Sequence, residues 1–134
     1  MADAQPHGGA WIGVDFDGTL ATYDRWRGLW HTGQPIWPMV HRVRQFLDEG
    51  WDVRIFTARV AHDGSPEQRL AAEQAREVIQ EWCRVTLGTV LPVTNVKDTK
   101  MCELWDDRAV QVEKNTGRII GKSLRSLDGL DLSA

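Results

Sequence analysis

Four short β-rich runs, each ending at a polar side chain, alternate with segments of helical period, and this alternation leaves the chain few folds to adopt. The runs are Trp11–Val14, ending at Asp15 and Asp17; Asp52–Phe56, ending at Thr57; residues 92–96, ending at Lys97; and residues 102–105, ending at Asp106 and Asp107. Between the first two, Met39, Val43, Phe46 and Leu47 recur at helical spacing, with Pro38 suited to a first turn and Gly50 placed as a stop. Between the second and third, Ser65, Pro66 and Gln68 form a capping box. It opens a helix whose stripe, Ala71, Ala75, Val78, Ile79 and Trp82, ends before Gly88. Residues 97–101 read as a turn or a single helical turn. Strand, helix, strand, helix, strand and short crossover predict an α/β fold, a three-layer Rossmann-like parallel sheet with helices on both faces. Ligands bind such sheets beyond the carboxyl ends of the strands, where every one of these polar residues falls.

Side chains alternate along a strand, so Asp15 and Asp17 share one side while Phe16 points to the other, and Gly18 lets the chain turn away. Two carboxylates this close repel unless one takes up a proton or a cation sits between them. An all-oxygen donor set favours magnesium, which keeps several waters and is usually held by one or two carboxylates and a substrate phosphate. Four carboxylates, a hydroxyl and a lysine on one rim suit phosphoryl transfer. A carboxylate attacks phosphorus only where the charge on both partners is offset, and a second carboxylate can protonate the leaving oxygen and then activate water.

With 134 residues and 42% apolar content the chain is one domain able to bury a core unaided. Its formal net charge of −3 implies no general attraction to nucleic acid or to an anionic membrane. No stretch is apolar enough to span a bilayer, and a secretion signal is not evident at the N-terminus, so a cytoplasmic location is expected. Cys83 and Cys102 lack metal spacing and read as reduced, buried thiols.

Residues 1–10 are polar and aperiodic, and disorder is expected there. Residues 21–35 read as a loop. Trp26, Trp30 and Trp37 cluster around it, and packing against the domain is a commoner role for them than lining a substrate entrance. Residues 109–113 and 118–120 suggest a final strand, a turn and a return strand. Residues 121–134 are weakly patterned and read as a loosely held tail.

Asp15-Phe16-Asp17-Gly18-Thr19 after an apolar strand resembles the first motif, D-x-D-G-T, of the haloacid-dehalogenase-like hydrolases. Ile55-Phe56-Thr57, Lys97 and Leu104-Trp105-Asp106-Asp107 are similar to that family's second, third and fourth motifs, in the same order. The resemblance implies a catalytic domain over residues 11–120, with Asp15 as nucleophile and Asp17 as general acid and base. It further implies Thr57, Ala58 and Lys97 as phosphate ligands, and magnesium held by Asp15, the Asp17 backbone carbonyl and Asp106 or Asp107. Lys100 competes with Lys97, but Lys97 directly follows the third strand. The gaps after the first and second motifs leave no room for a cap domain.

A capless site is open, suited to a phosphorylated macromolecule end or to a small phosphomonoester covered by a neighbouring copy in a homo-oligomer. Arg59 is the candidate substrate contact, although a solvated surface role is commoner for it, and more so for Arg25, Arg27 and His31. His7, His41 and His62 lack metal spacing. Tyr23 and the nearby tryptophans offer flat surfaces to a nucleobase, which keeps nucleotides and nucleic-acid ends among the candidates without selecting them. The expected activity is a magnesium-dependent phosphatase. The alternative is a signalling module that binds metal and phosphate without turnover; in receiver domains, however, the acid pair precedes the phosphoacceptor.

Overall fold

The structure, a computed structural model, describes residues 6–121. Strands β1 (Trp11–Val14), β2 (Asp52–Phe56), β3 (Val93–Thr94) and β4 (Met101–Trp105) form a parallel sheet in the order β3-β2-β1-β4. Helix α1 (Trp37–Asp48) joins β1 to β2, and α2 (Pro66–Leu87) joins β2 to β3. This is the α/β class that the alternation of runs predicts. Neither connection carries an inserted domain.

The steps from β1 to β2 and from β2 to β3 run in one direction, so right-handed crossovers lay α1 and α2 on the same face. There Ile12, Val14, Val53, Ile55 and Val93 of the sheet pack with Val40 and Val43 of α1 and Ala75, Ile79 and Trp82 of α2. The step from β3 back to β4 crosses the opposite face through residues 95–100, which contain no helix, so this short crossover takes the place of the helix layer expected there. On that side Trp11 is fully buried, its indole Nε1 donating to Asp98 Oδ1 at 2.8 Å beneath the Arg54 guanidinium, 4.5 Å above the ring.

Local chemistry sets the helix ends. The Ser65 hydroxyl accepts from the Gln68 amide at 3.3 Å with Pro66 opening α2, and Gly88, at φ +81°, closes it. The buried stripe of α2 is Ala72, Ala75, Ile79, Trp82 and Cys83; Ala71 and Val78 lie at its margin, because the face turned to the sheet is rotated slightly from the one the spacing suggests. Strands β5 (Gln111–Val112) and β6 (Ile119–Ile120) form a separate antiparallel hairpin rather than extending the main sheet.

Cys83 is buried, and burial pushes its thiol up to about 12. Cys102, expected to be buried, is exposed, because β4 is an edge strand of the sheet among the described residues. Residues 6–10, expected to be disordered, pack instead: His7 stacks on Trp51 at 3.5 Å with its Nε2 3.0 Å from the Glu49 carbonyl. The expectations for residues 1–5 and 122–134 lie outside the described residues. No described helix is long and apolar enough to cross a membrane.

Ile79 is wholly buried between α2 and the sheet, so Ile79→Ala should destabilise the domain by about 3 kcal/mol through lost transfer energy and a residual cavity. Val85, 69% exposed on the same helix, should tolerate alanine within about 0.5 kcal/mol. Urea unfolding of the two variants measures the contrast.

Candidate active site

The β1–β4 ladder sets the geometry of the acids. Asp15 continues β1, its amide donating to the Trp105 carbonyl at 2.8 Å, so the end of β1 lies beside the end of β4 and Asp15 faces Asp106 and Asp107. One carboxylate oxygen from each of the three lies within 4.8 Å of the others. After Asp17 the chain folds back at Gly18, where φ is +86° and the amide donates to the Ala21 carbonyl at 2.8 Å. A Cβ at residue 18 would lie 2.7 Å from Asp107 Oδ2. Glycine there meets both a backbone need and a need for space.

Thr19 ties this turn to β4. Its nearly buried hydroxyl accepts from the Asp107 amide at 2.9 Å and lies 3.0 Å from Asp107 Oδ1 and 3.2 Å from Asp15 Oδ2. One hydroxyl hydrogen serves only one of those two carboxylates at a time, so their mutual repulsion is not relieved by it. Burial first, then the hydrogen bond with Asp107 and the charges of Asp106 and Asp107, raise the Asp15 carboxyl to about 7. A hard divalent cation among these oxygens would supply the missing positive charge, and the donor set fits magnesium.

Asp17 belongs to a different arrangement. Its two oxygens accept from Arg59 Nε at 2.7 Å and Nη2 at 2.8 Å, a bidentate pair in which the arginine side chain is only 5% exposed. Arg59 also donates to the Leu29 carbonyl at 3.3 Å, and its guanidinium stands 5.5 Å from the Phe16 ring and 4.9 Å from the Trp26 ring. It is a buried clamp between β1, the segment after β2 and the 21–35 loop, rather than a solvated surface residue. Thr57 is buried and caps the single 3-10 turn Ala58–Val60, its Oγ1 accepting from the Arg59 amide at 3.1 Å.

Asp15, Asp17, Thr57, Ala58, Arg59 and Asp107 line one cavity of about 410 Å³. Lys97 is exposed on the crossover after β3 and is not part of that lining. Lys100 lies at the other end of the sheet, where its carbonyl accepts from the Trp11 amide and its Nζ reaches the Gly8 carbonyl at 3.3 Å. Arg108, Tyr23 and Trp26 complete the wall. Arg108 follows the acid pair with no pattern to single it out, and the hydroxyl of Thr19 acts through a residue distant in sequence. A larger groove, about 860 Å³, runs between α2 and the 30–37 segment and shares no lining residue with this cavity. Among the described residues it holds no cluster of acids like that around Asp15.

No family model and no curated protein matches the chain. It is similar in structure to a conserved protein from Bacteroides thetaiotaomicron, with a TM-score of 0.51 and 23% identity over 74% of this chain and 76% of that one. At this identity the likeness is one of fold.

The raised carboxyl of Asp15 makes stability depend on pH. Where the folded chain keeps a proton that the unfolded chain has lost, rising pH favours unfolding, so metal-free protein should lose stability between about pH 5, above the range of the ion-paired acids, and about pH 7. Magnesium should raise the melting temperature more at the upper end of this window than at the lower, since cation and proton compete for the same oxygens. Thermal melts at both ends, with and without the cation, test this; a melting temperature that magnesium leaves unmoved at the upper end would mean that these acids hold no magnesium.

Proposed function

We propose that this protein is a magnesium-dependent phosphohydrolase of the haloacid-dehalogenase-like kind, acting on a phosphomonoester through an aspartyl-phosphate intermediate. The observation that carries this reading is the convergence of Asp15, Asp17, Thr57 and the Asp106–Asp107 pair at the carboxyl edge of one parallel sheet, with Asp15, Asp17, Thr57 and Asp107 sharing a cavity wall. Asp15, Asp106 and Asp107, with the Asp17 backbone carbonyl, would hold the cation. When bound, it offsets negative charge on the phosphate and on the attacking carboxylate.

An Asp15 oxygen forms the new bond to phosphorus as the bond to the alcohol oxygen breaks, and Asp17 gives that oxygen its proton. Asp17 then takes a proton from water, which attacks the aspartyl phosphate and releases inorganic phosphate with Asp15 restored. The Thr57 hydroxyl, which uses a lone pair on the Arg59 amide, keeps its hydrogen for a phosphate oxygen. Arg108 stands on the cavity wall as a cation for the same group, while Lys97 serves only by reaching in from the crossover.

One observation favours the second reading, a module that binds metal and phosphate without turnover. Both oxygens of Asp17 are engaged by Arg59, so proton transfer requires that one of these bonds be given up as substrate binds. Aryl phosphate hydrolysis, with and without magnesium, separates the two. The phosphohydrolase releases the aryl alcohol only with magnesium, and Asp15→Asn reduces that rate by at least about a thousandfold, the scale of losing a nucleophile. The same substitution removes a buried like charge, so the variant's melting temperature should stay level or rise. Magnesium-dependent phosphate binding by wild type without turnover would establish the module instead.

A further inference from the structure

Resting on the phosphohydrolase reading only for the phosphate end, we propose that the cavity takes phosphomonoesters whose alcohol carries a planar aromatic ring, with a nucleoside monophosphate as the fitting class and Trp26 as the stacking surface. Tyr23 and Trp26 line the same cavity as Asp15, yet leave 48% and 56% of their surface open to solvent. Large rings exposed in this way on a cavity wall are surface that a ligand can cover.

The loop that presents them is held in place before any ligand binds. Thr22 and Gln34 bond reciprocally across it, the Thr22 amide to the Gln34 carbonyl at 2.8 Å and the Gln34 amide to Thr22 Oγ1 at 2.9 Å. Trp82 Nε1 donates to the Gly33 carbonyl at 3.0 Å, and Arg59 to the Leu29 carbonyl at 3.3 Å. A loop closed on itself by one reciprocal pair and tied to the domain by two further bonds loses little freedom when a ring settles on it.

The Arg59 guanidinium stands 5.5 Å from the Phe16 ring and 4.9 Å from the Trp26 ring. Trp26 thus meets a nearly buried cation and still leaves 56% of its surface open, enough for a planar group to settle on. Arg59 is committed to Asp17, leaving Arg108, which forms no ion pair among the described residues, to meet the phosphate. A volume of about 410 Å³ suits a small ligand, and a net charge of −3 offers no pull on a polyanion, so a mononucleotide fits better than a nucleic-acid end.

The test is calorimetric titration of the Asp15→Asn protein, in magnesium, with adenosine 5′-monophosphate and with ribose 5-phosphate, which has the same phosphate and no aromatic ring. The nucleotide should bind about tenfold more tightly, the scale of one base stacked on an aromatic side chain. Trp26→Leu should remove most of that ratio while leaving ribose 5-phosphate unchanged, Trp26→Phe should keep most of it, and Tyr23→Leu should reduce it. Trp30→Leu, at a 69% exposed tryptophan outside the cavity, should alter neither affinity. Equal affinities in the parent protein, no binding of the nucleotide, or a ratio untouched by Trp26→Leu would each overturn the proposal. So would tighter binding of a 5′-phosphorylated oligonucleotide than of the mononucleotide. The titration measures binding alone, so a failure to hydrolyse aryl phosphate counts against the phosphohydrolase reading, whereas the affinity ratio decides the stacking proposal.

Discussion

Three carboxylates with oxygens within 4.8 Å of one another are an arrangement that a chain does not adopt by local preference. Mutual repulsion and partial burial both disfavour the charged state, as the rise of Asp15 to about 7 registers. The acids are held together by backbone pairing. The β1–β4 ladder extends past Val14 to the Asp15–Trp105 bond, and wherever that ladder forms, Asp15 and the acid pair must meet. The Thr19 hydroxyl and the open space above Gly18 then set where Asp107 lies. The stability of the hydrophobic face of the sheet thus opposes the electrostatic cost of the site on its edge.

Arg59 performs the corresponding task on the other side of the cavity. A single buried guanidinium joins Asp17, the Leu29 carbonyl and two aromatic rings, and so ties the loop after β1 to the turn after β2. Arginine suits this better than lysine, because a planar fork can bond a carboxylate along its edge while its flat, delocalised face packs on aromatic rings. The same contact occupies the oxygens of Asp17. Organisation of the cavity and freedom of that carboxylate are therefore opposed, and any ligand that draws Asp17 away also acts on the loop that carries Trp26.

Much of the fold is legible in the residues because strong local signals agree with the global one. The capping box at Ser65, the glycine after α2 and the short β-rich runs each name a boundary independently, and their order leaves little besides a parallel sheet. The rotation of the buried stripe from Ala71 and Val78 toward Ala72 and Cys83 is less legible, since adjacent positions on an apolar helix face have nearly equal claims to the sheet. The run that holds Cys102 is apolar enough for a core strand, while the exposure of its thiol follows from being at an edge, a property of strand order. Packing is the commoner role for tryptophan, yet Trp26, Trp30 and Trp37 each keep more than half of their surface open; composition cannot tell a tryptophan that fills a core from one that walls a cavity.

What the sequence determined by itself is the inventory and the rim: which side chains end the strands, and that a parallel sheet brings strand ends to one edge. Period, caps and turn residues are local, and one chain displays them fully. Tertiary structure alone decided how the inventory divides. It drew both Asp106 and Asp107 to Asp15, where the motif resemblance had left one or the other, gave the Asp17 carboxylate to Arg59, sent Lys100 to the far end of the sheet and put Arg108 on the wall from which Lys97 is absent. These pairings join residues that lie far apart along the chain, and they depend on register, crossover hand and side-chain direction, which no window of sequence contains.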